Sequence, residues 1–334
     1  MKLQKVFIIP YFGKFPEYFL LFLKSCGKNK GFNWLIFTDI IYTFEVPDNV
    51  RFVQISFEDL VNLIQNKFDF PIYLKAPYKL CDFKPAYGYI FEEYLTGYDF
   101  WGYCDCDLIF GDLDKFIPDL KLIKYDKIGH LGHLTLYRNT VQINREFMSR
   151  IEGIERYKEV FSSSRNLLFD EWGLLSINRI FLHNNHKVLL LNDFFDIETY
   201  NENFHRTSFE IKSIEGPGFF WRIDKKISYA SWEDGNVYRW YKNGTRWTKE
   251  EVMYVHFQKR KMQVTAGVEE YSKFLCVPNK FVPYKDNIPF KYIVKSYFLT
   301  LINKKYWLHE YQRIRYLIIE KTGPIRHWVR RKHS

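Results

Sequence analysis

The sequence predicts an α/β protein: a mostly parallel sheet flanked by helices, then a small antiparallel element and a C-terminal basic helical region. Three patterns predict it. Short apolar runs with the composition of buried strands alternate with amphipathic segments over the first third of the chain. Asp-Gly and Asn-Gly pairs then separate aromatic strands in "YASWEDGNVYRWYKNGTRWTKEEVMYVHF". Last, "KKYWLHEYQRIRYLIIEK" spaces Trp307, Tyr311, Ile314 and Ile318 along a helix with basic residues between them.

Taken in order, "KVFIIPYFG" reads as a buried strand ending in a turn, and "PEYFLLFLKSCGKN" as a helix closed by Gly27. "FNWLIFTD" and "VRFVQI" are the second and third strands. Ser56 is the expected N-cap of "SFEDLVNLIQNKF", whose first-turn acids suit the helix dipole. "DFKPAYGYIFEEYLTG" reads as a further helix with Gly97 near its end, leading into the strand "DFWGYCDCDLIFGDL". Alternating strands and helices imply right-handed crossovers and a parallel sheet, in which ligands gather beyond the carboxyl ends of the strands. Asp39 and the pair Asp105 and Asp107 fall at such ends. Further on, "RNLLFDEWGLLSINRIFLHNN" reads as a helix. A boundary near residues 264–271 divides the chain into a main domain, 1–265, and a basic, aromatic helical region, 266–334.

With 47% hydrophobic and 26% charged residues in 334, the chain is globular rather than disordered. Its 20% aromatic content suits both a core and stacking on sugar rings or bases. The formal charge is +10, yet Leu301–Ser334 holds nine Lys/Arg against two Glu, a local balance of +7. The remainder is nearly neutral, which excludes a uniformly basic nucleic-acid binder. Five cysteines, Cys26, Cys81, Cys104, Cys106 and Cys276, are an odd number without metal-finger spacing, and a reducing compartment is expected. The apolar start is interrupted by Pro10, Gly13, Lys14, Pro16 and Glu17, and no run reaches a membrane span, so a cytoplasmic location is expected.

In an extended segment Asp105 and Asp107 point the same way, Cys104 and Cys106 the other. Two adjacent carboxylates repel, and burying either unpaired is costly. A divalent cation resolves the conflict, because Mg²⁺ and Mn²⁺ prefer oxygen ligands and bridge carboxylates to phosphates. The alternative is a pair of solvated turn carboxylates.

The order "IIPYFG", "FTD", "KLCDFKPAYGYIF", "GYCDCDLIFGDL" and "GHLTLYRN" resembles bacterial glycosyltransferases of the GT-A fold, over roughly residues 5–260. The closest similarity is to an uncharacterised-type family of capsule and surface-polysaccharide gene clusters. More distantly, the chain resembles retaining lipopolysaccharide galactosyltransferases and glycogenins. The resemblance implies that Asp105 and Asp107 hold Mn²⁺ or Mg²⁺ on the diphosphate of a nucleotide sugar, with His256 of "YVHFQKRK" as a third ligand. Lys259 and Lys261 would neutralise diphosphate oxygens, and Asp39 would lie near the base. Pro10 and Tyr11 would line the same pocket. Lys84 stands where relatives carry an arginine, and Asp82 would contact the donor sugar or cap its helix. In "LLFDEWGLLSIN", Asp170 and Glu171 match the first two residues of an Asp-Gln-Asp segment and become the candidate catalytic groups, while Trp172 replaces the second acid. His133 would face the acceptor as a polar contact, or be a buried ring with a satisfied hydrogen bond.

The expected function is therefore a metal-dependent, retaining hexosyltransferase. It would move a sugar from a nucleotide donor, a UDP-sugar, to a surface polysaccharide or lipid-linked oligosaccharide. The basic tail, with Trp307, Tyr311, Ile314 and Trp328, would rest on the inner leaflet of the membrane or pack with a solvated face. Two other classes stay open: a nucleotidyltransferase, for which no Gly-rich phosphate loop is found, and a non-catalytic carbohydrate-binding protein using Trp232, Trp240 and Trp247.

Overall fold

The computed structural model describes residues 2–171, 175–197, 204–211, 219–224, 226–258 and 260–322. Strands in the first part are β1 (Lys5–Pro10), β2 (Asn33–Thr38), β3 (Val50–Gln54), β4 (Phe100–Cys104), β5 (Leu108–Phe110), β6 (Lys127–Leu131), β7 (Leu134–Arg138) and β8 (Val188–Leu189). They are followed by β9 (Phe194–Ile197), β10 (Phe204–Ile211), β11 (Phe219–Asp224), β12 (Ser228–Glu233), β13 (Asn236–Asn243) and β14 (Arg246–Val252). The last are β15 (Tyr254–His256), β16 (Gln263–Val264), β17 (Lys273–Val277) and β18 (Lys280–Pro283). Helices are α1 (Phe19–Lys28), α2 (Phe57–Gln65), α3 (Leu80–Phe83), α4 (Tyr87–Ile90), α5 (Leu113–Phe116) and α6 (Asp119–Leu122). After them come α7 (Val141–Arg145), α8 (Arg156–Ser162), α9 (Ile177–His183), α10 (Phe290–Ile302) and α11 (Lys304–Thr322).

The largest sheet has seven strands in the order β3-β2-β1-β4-β7-β6-β8. Pairs β1–β2, β2–β3, β1–β4 and β6–β8 are parallel, and only β7 runs against its neighbours. The expected α/β class with a mostly parallel sheet is thus observed. Alternation along the strands sorts side chains onto two faces. Val6, Ile8, Leu35, Phe37, Trp101 and Tyr103 pack beneath α2, α3 and α4. Phe7, Ile9, Trp34, Ile36, Phe100 and Cys104 face α1 and β5 on the other side. Both faces are covered, which is why these strands read as continuous apolar runs.

Three helical expectations change. α1 continues through Gly27 to Lys28, because Asn29 clamps the turn, its amide donating to Ser25 and Gly111 and accepting from Leu113 N–H. The segment from Asp82 to Gly97 is broken into α3, a 3₁₀ turn at Lys84–Ala86, α4 and a second 3₁₀ turn. Pro85 explains this, since it lacks the N–H that a continuing helix needs. At Gly88 an added Cβ would meet the Trp101 indole at 2.2 Å, so α4 lies directly on β4. The third helix begins only at Ile177, after a turn that carries Asp170 and Glu171. The Ser56 cap forms as expected, its hydroxyl accepting from Asp59 N–H at 3.0 Å.

The Asp-Gly and Asn-Gly turns join β12, β13 and β14, the antiparallel element expected there. This sheet continues through β17, β18 and β16, so residues on both sides of position 265 share it. A five-stranded sheet, β11-β10-β9-β15-β5, bridges the other two. Among the described residues, no helix is long and apolar enough to cross a membrane.

Candidate active site

The chain leaves β1 toward β2 and β3 on one side, and β4 joins β1 on the other. The carboxyl ends of β1 and β4 therefore splay apart, which is where parallel sheets open a crevice. A cleft of about 900 Å³ lies there, lined by Pro10, Tyr11, Lys84, Asp105, Asp107 and Lys261. The strand expected through residues 99–113 bends instead: β4 ends at Cys104, and β5 begins at Leu108 in a different sheet. Asp105 and Asp107 occupy the bend between them.

Strand pairing completes the group. His256 on β15 lies opposite Leu108 on β5 and Asp196 on β9. One ligand atom each from Asp105, Asp107 and His256 lies within 4.8 Å of the others. His256 Nε2 is 3.6 Å from Asp107 Oδ1, and its Nδ1 is 3.2 Å from Asp196 Oδ1. Burial works against a charged ring here, but Asp107 and then Asp196 outweigh it and hold the imidazole up to about 9. The pocket attracts positive charge. Two carboxylates and an imidazole form a donor set that suits a small divalent cation, and the imidazole favours Mn²⁺ over Mg²⁺. The residues fit a metal.

The family of unknown function DUF6625 matches residues 7–285. The chain belongs to it. No curated protein matches this DUF6625 chain. Among solved structures it is similar to the galactosyltransferase LgtC in complex with donor and acceptor sugar analogues, at 13% identity and a TM-score of 0.33, covering 58% of this chain and 76% of that one. An active-site mutant of LgtC matches at 12% identity and a TM-score of 0.31, covering 58% and 75%.

Behind the metal-binding candidates, the DUF6625 chain holds a buried cation. Lys84 Nζ donates to Asp105 Oδ1 at 2.6 Å and to the Gly132 carbonyl at 2.8 Å, and lies 3.9 Å from Asp170 Oδ2. Burial opposes its charge, but Asp105 holds its pKa well above the usual lysine value. Gly132 N–H donates to Glu171 Oε1 at 2.6 Å. A Cβ on Gly132 would lie 2.2 Å from Asp170 Oδ2, so glycine is what lets the acid approach. Burial raises Asp170 from 3.8 to about 8, opposed by Lys84, which shifts its carboxyl toward the protonated form.

Three expected contacts fall elsewhere. Asp82 does not line the cleft: its carboxylate takes Lys79 Nζ at 2.7 Å and the N–H groups of Leu167 and Phe169. His133 is buried, bonded through Nε2 to Tyr254 at 2.9 Å and stacked on His256 at 4.1 Å. Asp39 is exposed at the end of β2 and is not among the lining residues. Lys259, Trp172 and Trp328 lie outside the described residues. Conversely, Tyr18, Tyr78 and Arg260 line the cleft, and Asp196 backs His256. Of these, Arg260 had a visible signal, its place between Lys259 and Lys261 in "YVHFQKRK", and Asp196 had one as an acid within the apolar segment "FFDI".

Proposed function

We propose that this protein is a Mn²⁺-dependent glycosyltransferase of the GT-A type, moving a hexosyl group from a nucleotide sugar, a UDP-sugar, to a surface glycan or lipid-linked acceptor. The observation that carries the reading is the convergence of Asp105, Asp107 and His256, with the two acids lining a cleft at the ends of β1 and β4. A bound cation there would offset charge on the departing nucleoside diphosphate. Lys261 and Arg260, at the same rim, are suited to the diphosphate oxygens, the arginine by its planar fork and the lysine as a point charge. Tyr11 and Tyr78 offer faces to the base or sugar. Lys84 holds Asp105 in one orientation and links it to the turn of Asp170 and Glu171. Asp170, shifted by burial toward its protonated form, sits beside Lys84 and is suited to donating a hydrogen bond rather than accepting a proton, and Glu171 keeps the turn closed over Gly132. Retention of anomeric configuration is expected from the sequence resemblance to retaining enzymes.

Calorimetry with UDP in the presence and absence of Mn²⁺, followed by a nucleotide-sugar panel, tests the reading. Metal-dependent UDP binding and release of a nucleoside diphosphate are expected, both lost in Asp107→Ala. Release of pyrophosphate would instead identify a nucleotidyltransferase. Glycan binding without nucleotide or metal binding would identify a carbohydrate-binding protein. Full activity of Asp107→Ala would remove the metal from the account.

A further inference from the structure

A surface helix ordinarily buries its large apolar side chains and exposes its small and polar ones. α10 departs from this. Among its described side chains the buried ones are Ile293, Ser296 and Thr300, two of them hydroxyls. Phe290, Val294, Phe298, Leu301 and Ile302 are 44–63% exposed. Their spacing of three or four residues draws them into one stripe along the helix. α11 extends the pattern: Trp307, Leu308, Tyr311 and Ile314 are 49–62% exposed while Glu310 is buried. Contiguous apolar surface of this kind marks an interaction site rather than chance exposure.

The charge around the stripe indicates what covers it. Lys291, Lys295, Lys304, Lys305 and Arg315 are exposed along the same two helices. From Phe290 to Ile319 the only acid in the sequence is the buried Glu310. A second copy of this chain would bring a like basic rim against this one and be repelled. A sheet of anionic headgroups over acyl chains matches both features, taking the apolar stripe below and the cations above. Trp307 and Tyr311 are residues favoured at that depth. Since neither helix can span a bilayer, the contact is with its surface.

We propose that the outer face of α10 and α11 docks on an anionic phospholipid bilayer. The proposal stands apart from sugar transfer, and its failure would leave that reading untouched. The full-length protein is sedimented with vesicles of phosphatidylcholine alone, or of phosphatidylcholine and phosphatidylglycerol in equal amounts. The bound fraction is expected to be about tenfold higher on the anionic vesicles and to fall as salt is added. The pair Val294→Glu with Phe298→Glu should reduce it about tenfold by removing apolar insertion. The pair Lys304→Glu with Lys305→Glu should do so through charge alone. Unchanged circular dichroism in both variants establishes that the fold is intact. Equal binding to both vesicle types, or binding unaffected by either pair, overturns the proposal. So does a wild-type dimer in solution that Val294→Glu with Phe298→Glu dissociates, which would give the face to a second copy.

Discussion

His256 stands between two carboxylates, Asp107 on its Nε2 side and Asp196 on its Nδ1 side. The carboxylate charge 3.2 Å from Nδ1 favours the proton on that nitrogen and would leave Nε2 to ligate a cation. Asp196 is thus a positioning residue. Asp196→Asn should weaken Mn²⁺ binding by about tenfold or more, as seen in calorimetry, with activity recovering at saturating metal. An unchanged Mn²⁺ affinity would contradict this role. Asp170 makes a separate prediction through pH. Its pKa is 3.8 in a solvated chain and is raised to about 8 in the fold. Between these values the folded state holds a proton that the unfolded state has released, so stability declines as pH rises through that window. An amide in place of this carboxyl has nothing to titrate. Melting of Asp170→Asn should match the wild type below pH 4 and exceed it by a growing margin, on the order of a few degrees, toward pH 8.

The stretch between α8 and α9 brings Asp170 beside Lys84, and it is fastened by Lys79 and Asp82. Asp82 accepts from Leu167 and Phe169 N–H, while Lys79 Nζ donates to the carbonyls of Val160 and Arg165. Both partners are buried, at 5% and 1% exposure. Removing one leaves the other charge uncompensated, which costs about 3–5 kcal/mol. Asp82→Ala should therefore lower the melting temperature and speed tryptic cleavage after the exposed Arg165, detected by mass spectrometry. Cleavage at the wild-type rate would mean that the pair does not hold the segment. α10 shows the opposite arrangement: Phe290, Val294, Phe298, Leu301 and Ile302 stay exposed and contribute little to the core.

The cleft is lined from β1 and β4 of the largest sheet and from β16 of the six-stranded one, and a ligand that engages both should stabilise the whole molecule. With Mn²⁺ saturating, UDP at about a hundred times its dissociation constant should add roughly 2.7 kcal/mol beyond Mn²⁺ alone and raise the melting temperature measurably. A chelator should reverse the rise, and UDP alone should not reproduce it. The α/β class was legible because buried strands and amphipathic helices differ in period, and Asp105 and Asp107 were legible because two neighbouring acids are anomalous in an apolar run. The Asp-Gly and Asn-Gly hairpins were legible for a similar local reason, the backbone demands of a tight turn. Helix ends were less so: Asn29 carries α1 past a glycine through contacts with Gly111 and Leu113, remote in sequence. The roles of Asp82 and His133 were hidden for the same reason, since each engages partners far along the chain. Period, turn chemistry and local charge conflict are written in neighbouring residues. Which acid backs a histidine, which carboxylate faces a cleft and which helix face is left bare depend on strand order, and strand order emerges only when distant segments pack.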